Sequence, residues 1–85
     1  MPLTEELHVH RTYSIVLRPE PEGGYTVRVP ALPEIVTHGE DEVDALAMAK
    51  EAIELVIESR RELGEPIPAG DQSLYREVEV AFSAA

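Results

Sequence analysis

The sequence predicts an α+β fold whose elements follow the order β-β-β-α-β, a small antiparallel sheet with one long helix packed on one face. Three observations support this prediction. Two early segments alternate apolar and polar residues with a period of two, which is typical of half-buried strands. A long segment after Gly39 instead places apolar residues at helical spacing. Residues 74–82 return to alternation, which predicts a last strand.

The first two strands are expected to form a hairpin. Residues 8–18 alternate apolar and polar side chains and include β-branched and aromatic residues, which favour a strand. The prolines within 19–22 cannot donate a ladder hydrogen bond, so they should end this strand. Gly23 and Gly24 supply the positive φ angles that a reversal needs. The alternation resumes from Tyr25 to Val29, and we expect Tyr25 to pack across the hairpin.

A proline-bracketed crossing connects the hairpin to a third strand. Pro30 and Pro33 enclose two residues and end the second strand, because neither proline can pair in a ladder. Residues 34–38 are short and apolar in their middle, which indicates a third strand. Gly39 then frees the chain to turn into the helix.

The helix has recognisable signals at both ends. Asp41 is placed as its N-cap, and Asp44 three residues later gives a weaker form of the capping box. The helix should run to about Leu63, with Gly64 as the residue that ends it. Small residues at three positions would let the helix approach the sheet closely: Ala45, Ala49 and Ala52.

The two sides of the predicted helix differ in chemistry. Apolar residues at helical spacing indicate the side that faces the core, namely Val43, Leu46, Ala49, Ile53, Val56, Ile57 and Leu63. The opposite side carries a stripe of glutamates, namely Glu51, Glu54, Glu58 and Glu62. Like charges at these spacings repel one another by a few tenths of a kcal/mol per pair, so the stripe does not stabilise the helix.

Composition restricts the class of function. Seventeen acidic residues face seven basic ones, for a formal charge of −10, so direct binding to nucleic acid would oppose phosphate repulsion. An acidic domain suits a basic protein partner, although solubility alone is an equally simple reading. The chain has no cysteine, which excludes a disulfide framework and a thiolate site. A polar N-terminus and the lack of a long apolar run predict a soluble, cytoplasmic protein.

No arrangement of residues predicts catalysis or a cofactor. His8 and His10 would share a strand face and supply half a metal site, but no third ligand is placed beside them by spacing. His38 in the connection before the helix is more typical of a surface residue than of a general base. The serines lie in no nucleophile elbow, and the glycine pair is too short for a phosphate loop. The sequence therefore predicts a protein that is not an enzyme and holds no metal or cofactor.

The run GGYTVRVPALPEIVTHG, residues 23–39, followed by EDEVDALAMAKEAIELVIE resembles the HicB family of type II antitoxins. The resemblance covers nearly the whole chain. It is carried by the order and spacing of short matches that include Gly23, Gly24, Tyr25, Pro30, Pro33, Gly39 and Gly64.

The resemblance implies a partial RNase H-like fold without catalytic acids. It also implies that the domain binds and neutralises a small basic mRNA-cleaving toxin of the HicA type. Two features depart from the family pattern. Glu34 and Ile35 follow Leu32-Pro33 where many members have a glycine and a cysteine, and the sequence ends at Ala85 where many members continue into a DNA-binding domain. We therefore expect a single HicB-like domain over residues 1–85, without the C-terminal DNA-binding domain.

The expected toxin-binding surface combines two regions. One is the acidic helix side with Glu51, Glu54, Glu58 and Glu62, and the other is the crossing from Pro30 to Glu34, in particular Leu32 and Glu34. Exposed sheet edges further predict a homo-oligomer, paired through the hairpin strand or the last strand. Two alternatives stay open: a solitary regulatory or ligand-binding module of the same fold that has lost its toxin, and a degenerate magnesium-dependent nuclease.

Overall fold

The sheet and the helix lie within residues 16–63 of the chain. The computed structural model describes residues 9–70 and 73–84. The helix and strands are β1 Val16–Pro19, β2 Tyr25–Arg28, β3 Val36–Gly39 and α1 Glu42–Leu63. The strands form one antiparallel sheet in the order β1-β2-β3, and α1 packs on it against β2 and β3. The α+β class and the first four predicted elements are confirmed.

The hairpin turn has the predicted geometry. The Glu20 N–H donates to the Gly24 carbonyl at 3.0 Å, and the Gly23 N–H donates to the Glu20 carbonyl at 2.9 Å. Gly23 and Gly24 have φ angles of 104° and 76°, which an L side chain rarely adopts. Thr26 closes the loop, because its hydroxyl donates to the Glu20 carboxylate at 2.7 Å.

β1 differs from the predicted strand at both ends. It includes Pro19, which lies opposite Tyr25 at the last position of an edge strand, where a missing N–H is tolerated. At its start, pairing ends where Val16 meets Arg28, because the chain after β2 turns away. Residues 9–15 are therefore outside the sheet, and His8 lies outside the described residues.

The proline-bracketed crossing folds into two successive turns. The Leu32 N–H donates to the Val29 carbonyl, and the Ile35 N–H donates to the Leu32 carbonyl, both at 3.0 Å. These turns direct three apolar side chains inward, and Leu32 is completely buried. The resulting cluster of Val29, Leu32 and Ile35 also contacts Tyr13, Ile15, Ala52, Ile53 and Val56.

Both helix ends follow the predicted capping chemistry. The Asp41 side chain accepts a hydrogen bond from the Asp44 N–H at 2.7 Å, and the Asp44 carboxylate accepts one from the Glu40 N–H at 2.8 Å. Gly64 ends α1 in the left-handed conformation with a φ of 71°, and its N–H bonds to the Arg61 carbonyl. The charges of the first and last turns also complement the helix dipole.

The helix approaches the sheet at backbone distance, and Gly39 makes this possible. A Cβ atom at Gly39 would lie 2.4 Å from the backbone N and Cα of Ala45. The chain turns into α1 directly after Gly39, but Gly39 is not among the positive-φ glycines of the described chain, so the need for glycine here comes from close approach. The predicted small residues are confirmed, because Ala45 and Ala49 are buried over Val27.

The apolar side of α1 is narrower than predicted. Ala49, Ile53 and Val56 contact the sheet as expected. Val43 and Leu63 do not, since they are 79% and 70% exposed near the two helix ends. The sheet is only three short strands wide, so it does not reach the first and last turns of a 22-residue helix.

The predicted last strand is wrong for this single chain. Residues 73–84 form neither strand nor helix, they take no part in the sheet, and all of them are exposed. The radius of gyration is 17.3 Å, against about 12 Å for a compact chain of this length. We call residues 73–84 the C-terminal tail.

Candidate protein-binding surface

The acidic stripe of α1 is an exposed protein surface. Its members Glu51, Glu54, Glu58 and Glu62 all lie on the side of the helix away from the buried Ala45 and Ala49. The only ion pair that involves the stripe among the described residues joins Glu58 to Arg61 at 3.6 Å, and both side chains are largely exposed. The stripe therefore presents a concentrated negative charge, which favours contact with a basic surface.

A bidentate ion pair connects the crossing to the C-terminal end of α1. The Arg60 guanidinium donates to both carboxylate oxygens of Glu34 at 2.7 to 3.2 Å. A third N–H of Arg60 donates to the Pro66 carbonyl at 3.1 Å. Arg60 thus holds the crossing, the helix and the linker after the helix in one arrangement. This role cannot be predicted from the sequence, because nothing in the local sequence relates positions 34 and 60.

The two residues predicted in the crossing have different positions. The side chain of Glu34 is 46% exposed and lies at the surface beside Arg60. Leu32, in contrast, is 0% exposed, so its side chain belongs to the core and cannot meet a partner directly. Its contribution to any interface is to fix the backbone of the crossing.

The Glu34–Arg60 pair should make stability depend on pH. The hydrogen bonds from Arg60 hold the pKa of Glu34 below its ordinary value of 4.5, helped by a backbone hydrogen bond and by the charge of Arg60. Because the folded-state pKa is the lower one, the stabilisation is complete above 4.5 and is lost as the pH falls through the folded value.

We therefore expect the Glu34→Gln variant to melt at a lower temperature than the native protein at pH 7, with the difference vanishing in acid. The effect should be small and should weaken in salt, because the pair is partly solvated. Thermal melts from pH 7 to pH 3 would measure it, with Glu22→Gln in the exposed hairpin loop as the matched control. A difference of constant size across this range would contradict the assignment.

An open groove with apolar walls runs along α1 beside the acidic stripe, and charged residues border it, namely Lys50, Glu54, Glu58 and Arg61. One wall is formed by Tyr13 and Ile15 and the other by Leu46, Ile53 and Ile57, with Ile67 at one end. The groove has a volume of about 980 Å³. The Tyr13 hydroxyl and the Arg11 guanidinium both donate to the Pro68 carbonyl, so the linker is fixed at the end of the groove. The sequence signal for this groove was the alternation of residues 13–17 combined with the helical spacing of the isoleucines.

The other candidate residues have structural positions. His38 is exposed and lies over the hairpin, where a Cβ on Gly24 would come within 2.7 Å of its imidazole. Tyr13 and Tyr25 pack against the core, as the sequence reading preferred. Within residues 9–70 and 73–84, His, Asp and Glu form no group of three or more that is suited to a metal ion. The same residues contain no helix that is long and apolar enough to cross a membrane.

Comparison with known proteins gives a family match and several similar proteins. Residues 13–81 match the model of the HicB-like antitoxin of bacterial toxin-antitoxin systems. A UPF0150 protein of Thermoplasma acidophilum is 41% identical over 56 residues, which cover 66% of this chain and 81% of that protein.

Two curated antitoxins are also similar. Antitoxin HicB of Escherichia coli K12 is 36% identical over 75 residues, covering 86% of this chain and 54% of its own length. Antitoxin HicB 1 of Photorhabdus laumondii is 37% identical over 73 residues, which cover 86% of this chain and 47% of that antitoxin. The chain thus spans about half the length of these two antitoxins.

Proposed function

The chain belongs to the HicB-like antitoxin family, and we propose that it neutralises a small basic, mRNA-cleaving toxin of the HicA type by binding it. The observation that carries this proposal is the exposed acidic stripe Glu51, Glu54, Glu58 and Glu62 on a domain of charge −10. A toxin that binds RNA needs a basic surface, and the same surface can be covered by an acidic one.

We place the toxin on the acidic stripe together with the exposed part of the crossing at Glu34. The Arg60 bridge supports this choice, because it keeps the crossing in a fixed position beside the helix and so limits the ordering that binding must impose. In this role the domain acts in the cytoplasm, where the mRNA is, and performs no reaction itself. Covering the RNA-binding surface is sufficient to inhibit the toxin.

Charge reversal on the stripe tests the proposal. The toxin is the small basic protein expected to be encoded beside this chain, and its affinity is measured by titration calorimetry. Glu51→Lys should raise the dissociation constant about tenfold or more, because it places like charges across the interface. Glu22→Lys in the hairpin loop changes the net charge equally and should have a much smaller effect. It therefore controls for long-range attraction.

Two results would contradict the proposal. If no small basic protein is encoded nearby and none co-purifies with the chain, the proposal of a toxin partner fails. The solitary module then becomes the better description of the protein. If the toxin binds but both reversals weaken it equally, the stripe is not the binding surface.

We also infer that the chain self-associates. Its accessible surface is 7350 Å², whereas a folded monomer of 9.4 kDa exposes about 5000 Å². A second copy can cover much of the excess, because dimer interfaces often bury 2000 Å² or more in total.

A further inference from the structure

We propose that two copies of this chain exchange their C-terminal tails, so that each tail lies along β1 and in the apolar groove of the other copy. The proposal names the surfaces used by the self-association inferred above, and it rests on that inference. It does not require the toxin, although the groove is bordered by Glu54 and Glu58 of the acidic stripe.

The composition of the tail is that of a strand with one buried face. Its even positions are mostly apolar, and these side chains are 72 to 83% exposed in the single chain: Leu74, Val78, Val80 and Phe82. The odd positions carry Glu77 and Glu79. A row of exposed apolar residues at period two is costly for a protein in water, and pairing with a sheet edge would remove it from solvent.

The groove and the edge beside it offer what such a strand needs. β1 is an edge strand, so one side of its backbone is available for further pairing. The groove next to it is walled by Tyr13 and Ile15 and by Ile53 and Ile57, all of them partly exposed apolar residues. A strand added at β1 with Val78, Val80 and Phe82 toward α1 would fill this groove.

The charges of the tail agree with the same placement. Leu17 lies opposite Val27 in the ladder and packs toward α1, so Val16 and Arg18 lie on the outer face of the sheet. Arg28, the ladder partner of Val16, is on that face too. When the apolar side of the tail faces α1, Glu77 and Glu79 come to the outer face beside these arginines, where opposite charges on neighbouring strands attract.

The position at which the tail begins favours pairing with a second copy over pairing with the groove of its own chain. The linker is held at the end of the groove by the bonds from Arg11 and Tyr13 to the Pro68 carbonyl, and a Cβ on Gly70 would be 3.2 Å from the Thr12 carbonyl. A tail that returned from there would have to run parallel to β1. A tail from another copy can approach from the open end and pair antiparallel, as every other pair in this sheet does.

Sedimentation of the full chain tests the exchange. The native protein should be a dimer at micromolar concentration, and Val80→Glu should raise its dissociation constant at least about 30-fold by placing a carboxylate in the groove. Val43→Glu is the matched control, since Val43 is similarly exposed but lies on neither surface, and it should leave the dimer intact. Circular dichroism should show the same helix content in all three proteins.

Cysteine cross-linking distinguishes exchange from return to the same chain. The native sequence has no cysteine, so Ile57→Cys and Val80→Cys can be introduced in separate chains. Mixing the two variants under oxidising conditions should give a disulfide-linked pair. A native monomer would overturn both the self-association and the exchange. Two results would overturn the exchange alone. One is a dimer that tolerates Val80→Glu. The other is a disulfide that forms within a chain carrying both cysteines but does not form between the two mixed variants.

Discussion

Replacing Gly39 with alanine is expected to destabilise the fold by about 3 kcal/mol, a large fraction of the stability of so small a domain. The added methyl group would lie 2.4 Å from backbone atoms of Ala45, and backbone cannot move aside as a flexible side chain can. The helix would have to lift from β2 and β3, which would expose Val27 and Ala49. Urea unfolding followed by circular dichroism measures the loss.

Gly64→Ala is the control for this experiment. Gly64 has a φ of 71° and no atom within 4 Å of its Cβ position, so the variant carries the conformational strain of a left-handed residue without a clash. It should cost about 1 kcal/mol. If Gly39→Ala proved no more harmful than Gly64→Ala, the close approach of α1 to the sheet would be wrong.

Leu32→Ala is expected to destabilise the protein by about 3 kcal/mol, in the range found for large-to-small changes at fully buried leucines. Leu32 is 0% exposed and lies in the cluster with Val29 and Ile35, against which α1 packs. The substitution should also weaken toxin binding, because the crossing, which carries Glu34, would lose its fixed position beside α1.

Leu55→Ala provides the same chemical change at a site that is 65% exposed. Its cost should stay within about 0.5 kcal/mol. Chemical denaturation of both variants gives the comparison. A loss of stability at Leu32 as small as that at Leu55 would mean that Leu32 is a surface residue.

The features that sequence reasoning predicted well are those decided by neighbouring residues. Asp41 and Gly64 mark the helix ends because capping depends on hydrogen bonds within one turn. Gly23 and Gly24 mark the hairpin turn for a similar local reason, namely a backbone angle that other residues avoid.

The features that it missed depend on distant residues or on more than one chain. The role of Gly39 depends on the position of Ala45 across the helix–sheet contact. The ion pair between Glu34 and Arg60 forms only after the crossing has folded against the helix. Leu32 was assigned to the surface because a residue between two prolines looks like a loop, yet two successive turns point it inward. The tail alternates as a strand does, but alternation alone does not form a strand until the segment pairs with a sheet edge.

The order of the strands in the sheet, β1-β2-β3, is also their order along the chain, and α1 follows directly. Every element of the core therefore meets its neighbour after a short loop closure, which favours rapid first-order folding. Exchange of tails requires two chains to meet and is second order in concentration. Newly made chains would thus acquire the sheet, the helix and the acidic stripe while still single. Toxin capture would then not have to wait for assembly.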